Sequence, residues 1–336
     1  MQEERTRRIK NINKVKRGKL KIKLLGGIVC SLLIVLTLCP WVVFYGIIYD
    51  HVDYQGEISS KYPMQGIYRP EEFGLEAKEL ELVTEDGLKL WAAEVSVQEP
   101  KAVIIYLSGI MQPSVTYFYG HSKWMKEKGY ATLLLEVRSH GKSEGKRIGL
   151  GYEEVEDVRA AVNYLKQQPC YKDVPIVIHG VSMGGAIAIN AFGEIEEMDG
   201  LIAMSAYSGF EEVVEDLLCR FHVPQFICTF ERKIIGKCIE VTYGKDKLSR
   251  TPREAIQKHN GRPILLIACS GDQDVPPSNM ERLKEVAPPH CETWLRDSWE
   301  HFIVKNCDFK NMEQDTAYCE RILEFLENKV VYKEVK

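Results

Sequence analysis

VIHGVSMGGA, at residues 177–186, is the most informative segment of this sequence. It contains the pattern Gly-x-Ser-x-Gly, in which Gly180 and Gly184 flank Ser182. The apolar residues before the pattern predict a buried strand, and the small residues after it predict a helix. A serine on a sharp turn between a strand and a helix exposes its hydroxyl oxygen, and the two glycines let the backbones pass. We therefore interpret Ser182 as a nucleophile rather than as part of an ordinary turn.

A nucleophilic serine needs a histidine as base and a carboxylate to orient it, here in the chain order Ser, Asp, His. His301 follows the last strand-like run, CETWL, and is the candidate base. Two carboxylates follow the apolar run ILLIAC at 264–269. Asp274 is the preferred candidate because it lies further beyond the strand, towards the next helix. Asp272 is the alternative, and it would otherwise shape the turn.

Two backbone N–H groups are also required, to bind the negative charge that develops on the substrate oxygen. Met183 follows the nucleophile directly and is expected to supply one of them. Ile110 is expected to supply the other, because Gly109 lets the chain turn the next N–H group inward.

The rest of the chain alternates between strand-like and helix-like segments. Two strand-like segments flank Glu85-Asp86-Gly87, which indicates a hairpin. The alternation that follows predicts an α/β fold with a mostly parallel sheet and helices on both faces. Residues 205–262 are helical in pattern, contain no clear strand and interrupt the alternation. We interpret them as a helical lid insertion over the site.

At this point the residues match a known family. The chain resembles the α/β-hydrolase superfamily, in particular its serine-aminopeptidase/monoglyceride-lipase-like branch and the membrane-anchored bacterial relatives of that branch. The resemblance covers roughly residues 79–328 and rests on the motifs GVSMGG at 180–185, LSG at 107–109, EVRSHGKSEG at 136–145, GDQDVPP at 271–277 and EHF at 300–302.

The resemblance implies a catalytic triad of Ser182, Asp274 and His301, with Ile110 and Met183 as the oxyanion donors. The expected acyl-enzyme mechanism needs neither a metal nor an organic cofactor. Two positions depart from the family pattern: Ser108 stands where relatives often have histidine, and Ser139 stands where they often have glycine. Neither change removes a backbone donor, so both bear on substrate choice.

The N-terminal region has a different composition. Residues 1–23 carry ten basic and two acidic groups, and the remainder of the chain has 34 basic and 46 acidic residues. Residues 24–49 contain no charged side chain. A helix of that length covers the ~30 Å hydrocarbon core of a bilayer. A cleaved signal peptide is the alternative, but the apolar run is longer than the roughly 7–15 residues typical of one, and no matching cleavage site follows it.

These features predict four segments: a basic cytoplasmic tail (1–23), a single transmembrane anchor (24–49), a linker (50–78) and a hydrolase domain (79–336). The charge bias around the span predicts a cytoplasmic N-terminus and an extracytoplasmic catalytic domain. We expect the anchor to contact membrane lipid. The acidic remainder argues against nucleic acid as a partner. Residues 140–143, HGKS, resemble the end of a phosphate loop, but Glu136 stands in place of its leading glycine, so nucleotide binding is not expected.

The predicted function is hydrolysis of an ester through an acyl-enzyme, with a small-molecule ester or lipid-like compound as substrate. Two alternatives stay open: a peptidase or amidase that acts on short peptides, and a catalytically silent hydrolase fold that serves as a binding module.

Overall fold

The computed structural model describes residues 34–52, 63–246 and 250–332, together with residues 1, 5, 21, 23–27 and 31. Most of the predicted basic tail therefore lies outside the described residues. So do residues 28–30 and 32–33 of the predicted anchor, 53–62 of the predicted linker, 247–249 of the predicted lid and 333–336 at the C-terminus.

An eight-stranded sheet forms the centre of the fold, with the strand order β1-β2-β4-β3-β5-β6-β7-β8. The hairpin predicted around residues 85–87 joins β1 to β2, and β2 is also antiparallel to β4. All further neighbours are parallel. The strands are β1 (Lys78–Val83), β2 (Lys89–Val95), β3 (Val103–Leu107), β4 (Ala131–Leu135), β5 (Ile176–Val181), β6 (Gly200–Met204), β7 (Ile264–Cys269) and β8 (Glu292–Arg296).

Helices cover both faces of the sheet. They are α1 (residues 34–48), α2 (Tyr119–Glu127), α3 (Val155–Gln167), α4 (Met183–Glu194), α5 (Phe210–Arg220), α6 (Gln225–Tyr243), α7 (Pro252–Ala255), α8 (Ser278–Val286) and α9 (Thr316–Phe325). Successive side chains of a strand point to opposite faces. Ile105 of β3 accordingly packs in the layer of α3, α4 and α8, whereas Tyr106 packs in the layer of α2 and α9. The predicted α/β-hydrolase fold, with its mostly parallel sheet between helical layers, is confirmed.

The parallel strands explain where a site can form. Their carboxyl ends lie along one edge of the sheet, and the loops that follow β3, β5, β6, β7 and β8 leave from that edge. In open sheets of this kind, ligands bind outside the carboxyl ends of the strands.

The cap, which we define as α5 and α6, lies within the region predicted to be a lid. It packs on the α3–α4 side of the sheet, where Val213 and Ile239 join the core. The cap is also fastened to α8, because Asp216 accepts hydrogen bonds from Arg282 at 2.5 Å and from the amide of Asn279 at 3.0 Å. Arg220, the last residue of α5, donates to the backbone carbonyl of Gln273.

The C-terminal half of α1 packs on the same layer. Phe44 and Ile48 are almost fully buried, and the ring of Phe44 lies 6.3 Å from that of Phe210 in the cap. The chain after α1 is held by backbone hydrogen bonds, since Val52 pairs with the loop around His140 and Ile148 donates to the carbonyl of Ile48. Within the described part of the chain, we find no helix whose length and apolarity would let it cross a membrane.

Candidate active site

Ser182 lies on the sharp turn between β5 and α4. Its backbone has φ 58° and ψ −122°, a conformation that side chains other than glycine rarely adopt. A methyl group on Gly180 would overlap the backbone of Gly184. One on Gly184 would lie 2.6 Å from the carbonyl oxygen of Leu107. The two glycines are therefore required by the close approach of β5, α4 and the end of β3.

His301 lies beside Asp272. Its Nδ1 is 2.7 Å from Oδ2 of Asp272, whose side chain is fully buried. The prediction that Asp274 would hold this histidine is wrong, because Asp272 makes the hydrogen bond to the ring. A ligand atom of Asp274 lies within 4.8 Å of those of Asp272 and His301, but its side chain is exposed and makes no hydrogen bond to the ring among the described residues.

The reason for this arrangement is the pairing of β7 with β8, which continues beyond both strands. Ser270 donates to the carbonyl of Arg296, and Gly271 donates to that of Ser298, both at 2.9 Å. These bonds place Asp272 beside the loop that carries His301. Oδ1 of Asp272 then accepts the backbone N–H groups of Asp274 and Val275, two and three residues further along the turn, at 2.9 and 3.0 Å. These bonds fix the carboxylate and leave Oδ2 for the imidazole.

The loop that carries His301, residues 296–305, is held by an ion pair and several hydrogen bonds. Arg296, at the end of β8, forms a bidentate ion pair with Asp315 and donates to the carbonyl of Ile303. Asp315 also accepts the backbone N–H of Lys305. This arginine and aspartate therefore close the segment from 296 to 305 into a fixed loop that carries His301.

The carboxyl end of β6 connects the elbow to the histidine loop. The carbonyl of Met204 accepts the N–H of Ser182 at 2.9 Å. The hydroxyl of the next residue, Ser205, donates to the carbonyl of His301 at 2.6 Å. Two consecutive residues thus hold the predicted nucleophile and the predicted base, and sequence reasoning gave no role to Ser205.

The loop after β3 passes directly over the elbow. A methyl group on Gly109 would lie 3.1 Å from Cβ of Ser182. The N–H of Gly109 is engaged by Oε1 of Gln112 at 2.7 Å, and that oxygen also accepts the hydroxyl of Tyr117. The next N–H along the loop belongs to Ile110, which is half-buried. Met183, the other predicted donor, is the buried first residue of α4.

Arg138 and Glu136, in the EVRSHGKSEG segment, are structural anchors near the site. Arg138 binds Asp157 on α3 and Asp86 in the β1–β2 hairpin. Glu136 accepts the hydroxyl of Ser114 at 2.5 Å and the N–H of Lys142 at 2.7 Å. Burial raises the pKa of Glu136 to about 7. From the sequence, Glu136 was considered only in connection with a phosphate loop, and its buried structural role was missed, although an acid at the end of the apolar run ATLLLE is a signal for a buried carboxyl group.

Asp272, Asp274 and His301 also offer one ligand atom each within 4.8 Å of one another, which is the spacing of a metal site. The hydrogen bond between Asp272 and His301 uses two of the three residues. A cation there would have to displace that bond.

Part of this chain is similar in sequence to known proteins, and most of it is similar in fold to solved structures. Residues 98–254 match the family described as "Serine aminopeptidase, S33". The match includes Ser182 and ends before Asp272 and His301. The uncharacterized protein YqkD of Bacillus subtilis is 28% identical over 207 residues, which are 60% of this chain and 63% of that protein. The chain thus spans less than two thirds of that relative.

Two solved structures are similar in fold. The esterase Pf2001 of Pyrococcus furiosus matches with a TM-score of 0.62 and 22% identity, over 84% of this chain and 99% of that one. An acylaminoacyl peptidase of Pyrococcus horikoshii matches with a TM-score of 0.57 and 18% identity, over 78% of this chain and 43% of that one. The topology and the solved structures show the α/β-hydrolase fold, and residues 98–254 are similar to the serine aminopeptidase family.

Proposed function

We propose that this protein is a serine hydrolase that cleaves carboxylic esters with an apolar acyl group. The observation that carries the proposal is the 2.7 Å hydrogen bond between His301 and a fully buried carboxylate, in a loop tied through β6 to a strained elbow serine. A serine, a histidine and a carboxylate in these roles form the acyl-transfer triad.

The proposed mechanism runs through an acyl-enzyme. Nε2 of His301, the ring nitrogen that Asp272 does not engage, takes the proton of the Ser182 hydroxyl as its oxygen attacks the ester carbonyl. Asp272 keeps the proton on Nδ1 and stabilises the imidazolium that forms. His301 then passes its proton to the leaving alcohol. Water, deprotonated by the same histidine, attacks the acyl-enzyme. The acyl–oxygen bond to Ser182 then breaks, His301 returns its proton to the Ser182 oxygen, and the acid is released.

The oxyanion of each tetrahedral intermediate would be bound by the N–H groups of Ile110 and Met183. Two features support this assignment. Gln112 engages the N–H of Gly109, so the next donor in the loop is Ile110. Met183 begins a twelve-residue helix, whose N-terminus attracts negative charge.

A peptidase is the second candidate, favoured by the name of the matching family and by the acylaminoacyl peptidase among the structural neighbours. The esterase among the neighbours favours the first candidate. A catalytically silent binding module is the third. Such a protein would have no need to keep His301, Asp272 and Ser182 in one connected arrangement.

We also propose that the segment 24–49 anchors the protein in the cell membrane through its part before Phe44, which itself packs on the catalytic domain. The N-terminus would lie in the cytoplasm and the catalytic domain outside it. The support is the uncharged run of 26 residues that follows ten basic groups. Positive charge flanking one end of a span keeps that end in the cytoplasm.

Labelling with a fluorophosphonate tests the proposed activity. The full chain should be labelled, Ser182→Ala should not be, and Ser96→Ala, a change of an exposed serine far along the chain, should be labelled like the wild type. Labelling of the Ser182→Ala variant would refute the nucleophile. A series of p-nitrophenyl esters against aminoacyl p-nitroanilides then separates an esterase from a peptidase, and no turnover of either together with no labelling would support the silent module.

A further inference from the structure

An apolar cavity separates α1 from the cap. Its volume is about 370 Å³, which falls within the range of small-molecule sites. One wall is formed by α1 and the other by α5 and α6, and all but one of the lining side chains are uncharged. Representative lining residues are Val35, Val43 and Ile47 from α1, and Val214, Leu218 and Ile227 from the cap.

Glu231 on α6 is the exception in this cavity. It is only 7% exposed, and no described residue donates a hydrogen bond to its carboxylate or forms an ion pair with it. The neighbouring cation, Arg232, pairs instead with Glu212 and Glu215. Burial raises the pKa of Glu231, and no compensating contact lowers it.

The position of Glu231 along α6 gives the cavity a defined chemistry. Ile227, Glu231 and Ile235 are spaced four residues apart, so they lie on one face of the helix, and all three line the cavity. A carboxylate that lies between two isoleucines loses part of its hydration without gaining a protein partner, which favours the arrival of a donor. A few convergent polar groups in an apolar pocket are what orients a small ligand.

We propose that this cavity binds a single-chain amphiphile, with its apolar chain between α1 and the cap and a hydrogen-bond-donating head group, such as a primary ammonium, on Glu231. The wall has the length for a chain, since Val35 and Ile47 are twelve residues apart on α1, or about 18 Å. The site contains none of the residues assigned to catalysis. The inference therefore goes beyond the proposed hydrolase activity and does not depend on it, although the α1 wall of the cavity belongs to the segment proposed as the anchor.

Cys39 provides a reporter of occupancy, because it lines the cavity and carries a free, exposed thiol. Cys170, also free and exposed, does not line the cavity and serves as the internal reference. The experiment measures how fast methyl methanethiosulfonate modifies each thiol in the full chain in its own membrane, by mass spectrometry of peptides. The probes are dodecylammonium and dodecanoate, each below the concentration at which it forms micelles.

Dodecylammonium should protect Cys39 at concentrations at least about tenfold lower than dodecanoate, because only the ammonium donates to the carboxylate. Neither probe should protect Cys170. Glu231→Gln should abolish the preference for the ammonium, and Glu240→Gln, the same change on the same helix at a residue paired with Lys237, should retain it. Equal protection by both probes, no protection at all, or a preference that survives in Glu231→Gln would overturn the proposal. If the fluorophosphonate does not label Ser182 in the wild-type chain, the proposed hydrolase activity is refuted, whereas the proposed binding site is unaffected.

Discussion

Replacing Asp272 by asparagine isolates the charge of the carboxylate from its shape. Oδ1 of Asp272 accepts two backbone N–H groups, so the amide oxygen of the asparagine should take that position. The opposite orientation would forfeit both bonds, at about 1 kcal/mol each. The NH₂ group of the side chain then faces Nδ1 of His301 across 2.7 Å.

Two donors cannot share that hydrogen bond. The imidazole should therefore lose its Nδ1 proton and carry its proton on Nε2, where it can no longer accept the proton of Ser182. The corresponding change in another Ser-His-Asp triad lowers turnover by ~10⁴-fold. At about 1.4 kcal/mol for each factor of ten, such a loss corresponds to roughly 5.5 kcal/mol of lost transition-state stabilisation. We expect Asp272→Asn to lose 10³- to 10⁴-fold, as orders of magnitude, in kcat/KM.

Asp274→Asn is the matched control, because it makes the same chemical change two residues away on an exposed side chain. It should cost less than about tenfold, since at most one exposed hydrogen bond is altered. The assay is kcat/KM on a short-chain p-nitrophenyl ester, with the melting temperature of each variant measured in parallel. The assignment of Asp272 would be refuted by a folded Asp272→Asn variant that retains activity within tenfold of the wild type, or by a larger loss at Asp274.

Three further outcomes are expected. Gly184→Ala should lower the melting temperature markedly because its methyl group would meet the Leu107 carbonyl. Gly236→Ala, where the methyl group meets nothing within 4 Å, should leave the temperature unchanged or raise it. Glu136, with its pKa raised to about 7, stabilises the fold most fully below its unfolded pKa near 4.5 and loses that contribution as the pH rises through 7. Between pH 4.5 and 8, the free energy of unfolding of the wild type should thus fall by up to about 3 kcal/mol more than that of Glu136→Gln. The melting temperature of the wild type should accordingly fall more steeply with pH, and parallel profiles of the two proteins would contradict this. Protease added to intact cells should digest the catalytic domain. If the domain is digested only after the cells are lysed, the proposed topology is refuted.

The sequence was sufficient to predict the sheet and the elbow. The Gly-x-Ser-x-Gly pattern has one physical solution between a strand and a helix, because Gly180 and Gly184 must touch neighbouring backbone. The alternation of apolar runs then gave the layers of the fold. These are local signals, and each of them can be read within about ten residues.

The acid could not be chosen in the same way. Asp272 and Asp274 lie two apart, and their side chains point the same way on an extended segment. They differ because of a long-range backbone hydrogen bond from Gly271 to Ser298 and because the carboxylate of Asp272 accepts the backbone N–H of Asp274. A methyl group on Gly271 would lie 3.2 Å from the carbonyl oxygen of Ser298, a close approach that only the structure shows. The role of Ser205 was out of reach for the same reason, because it depends on a hydrogen bond to His301, 96 residues further along the chain.

The junction between α1 and the catalytic domain has a mechanical consequence. Residues 48–52 are bonded by their backbone to the segment from 139 to 148, and Phe44 is buried against the cap. The junction therefore behaves as a rigid connection and not as a flexible linker. Any surface that holds the first turns of α1 also sets the height and the tilt of Ser182 above it. Inserting one residue after Tyr49 would turn the catalytic domain as well as raise it, whereas a flexible tether would absorb the same insertion without effect.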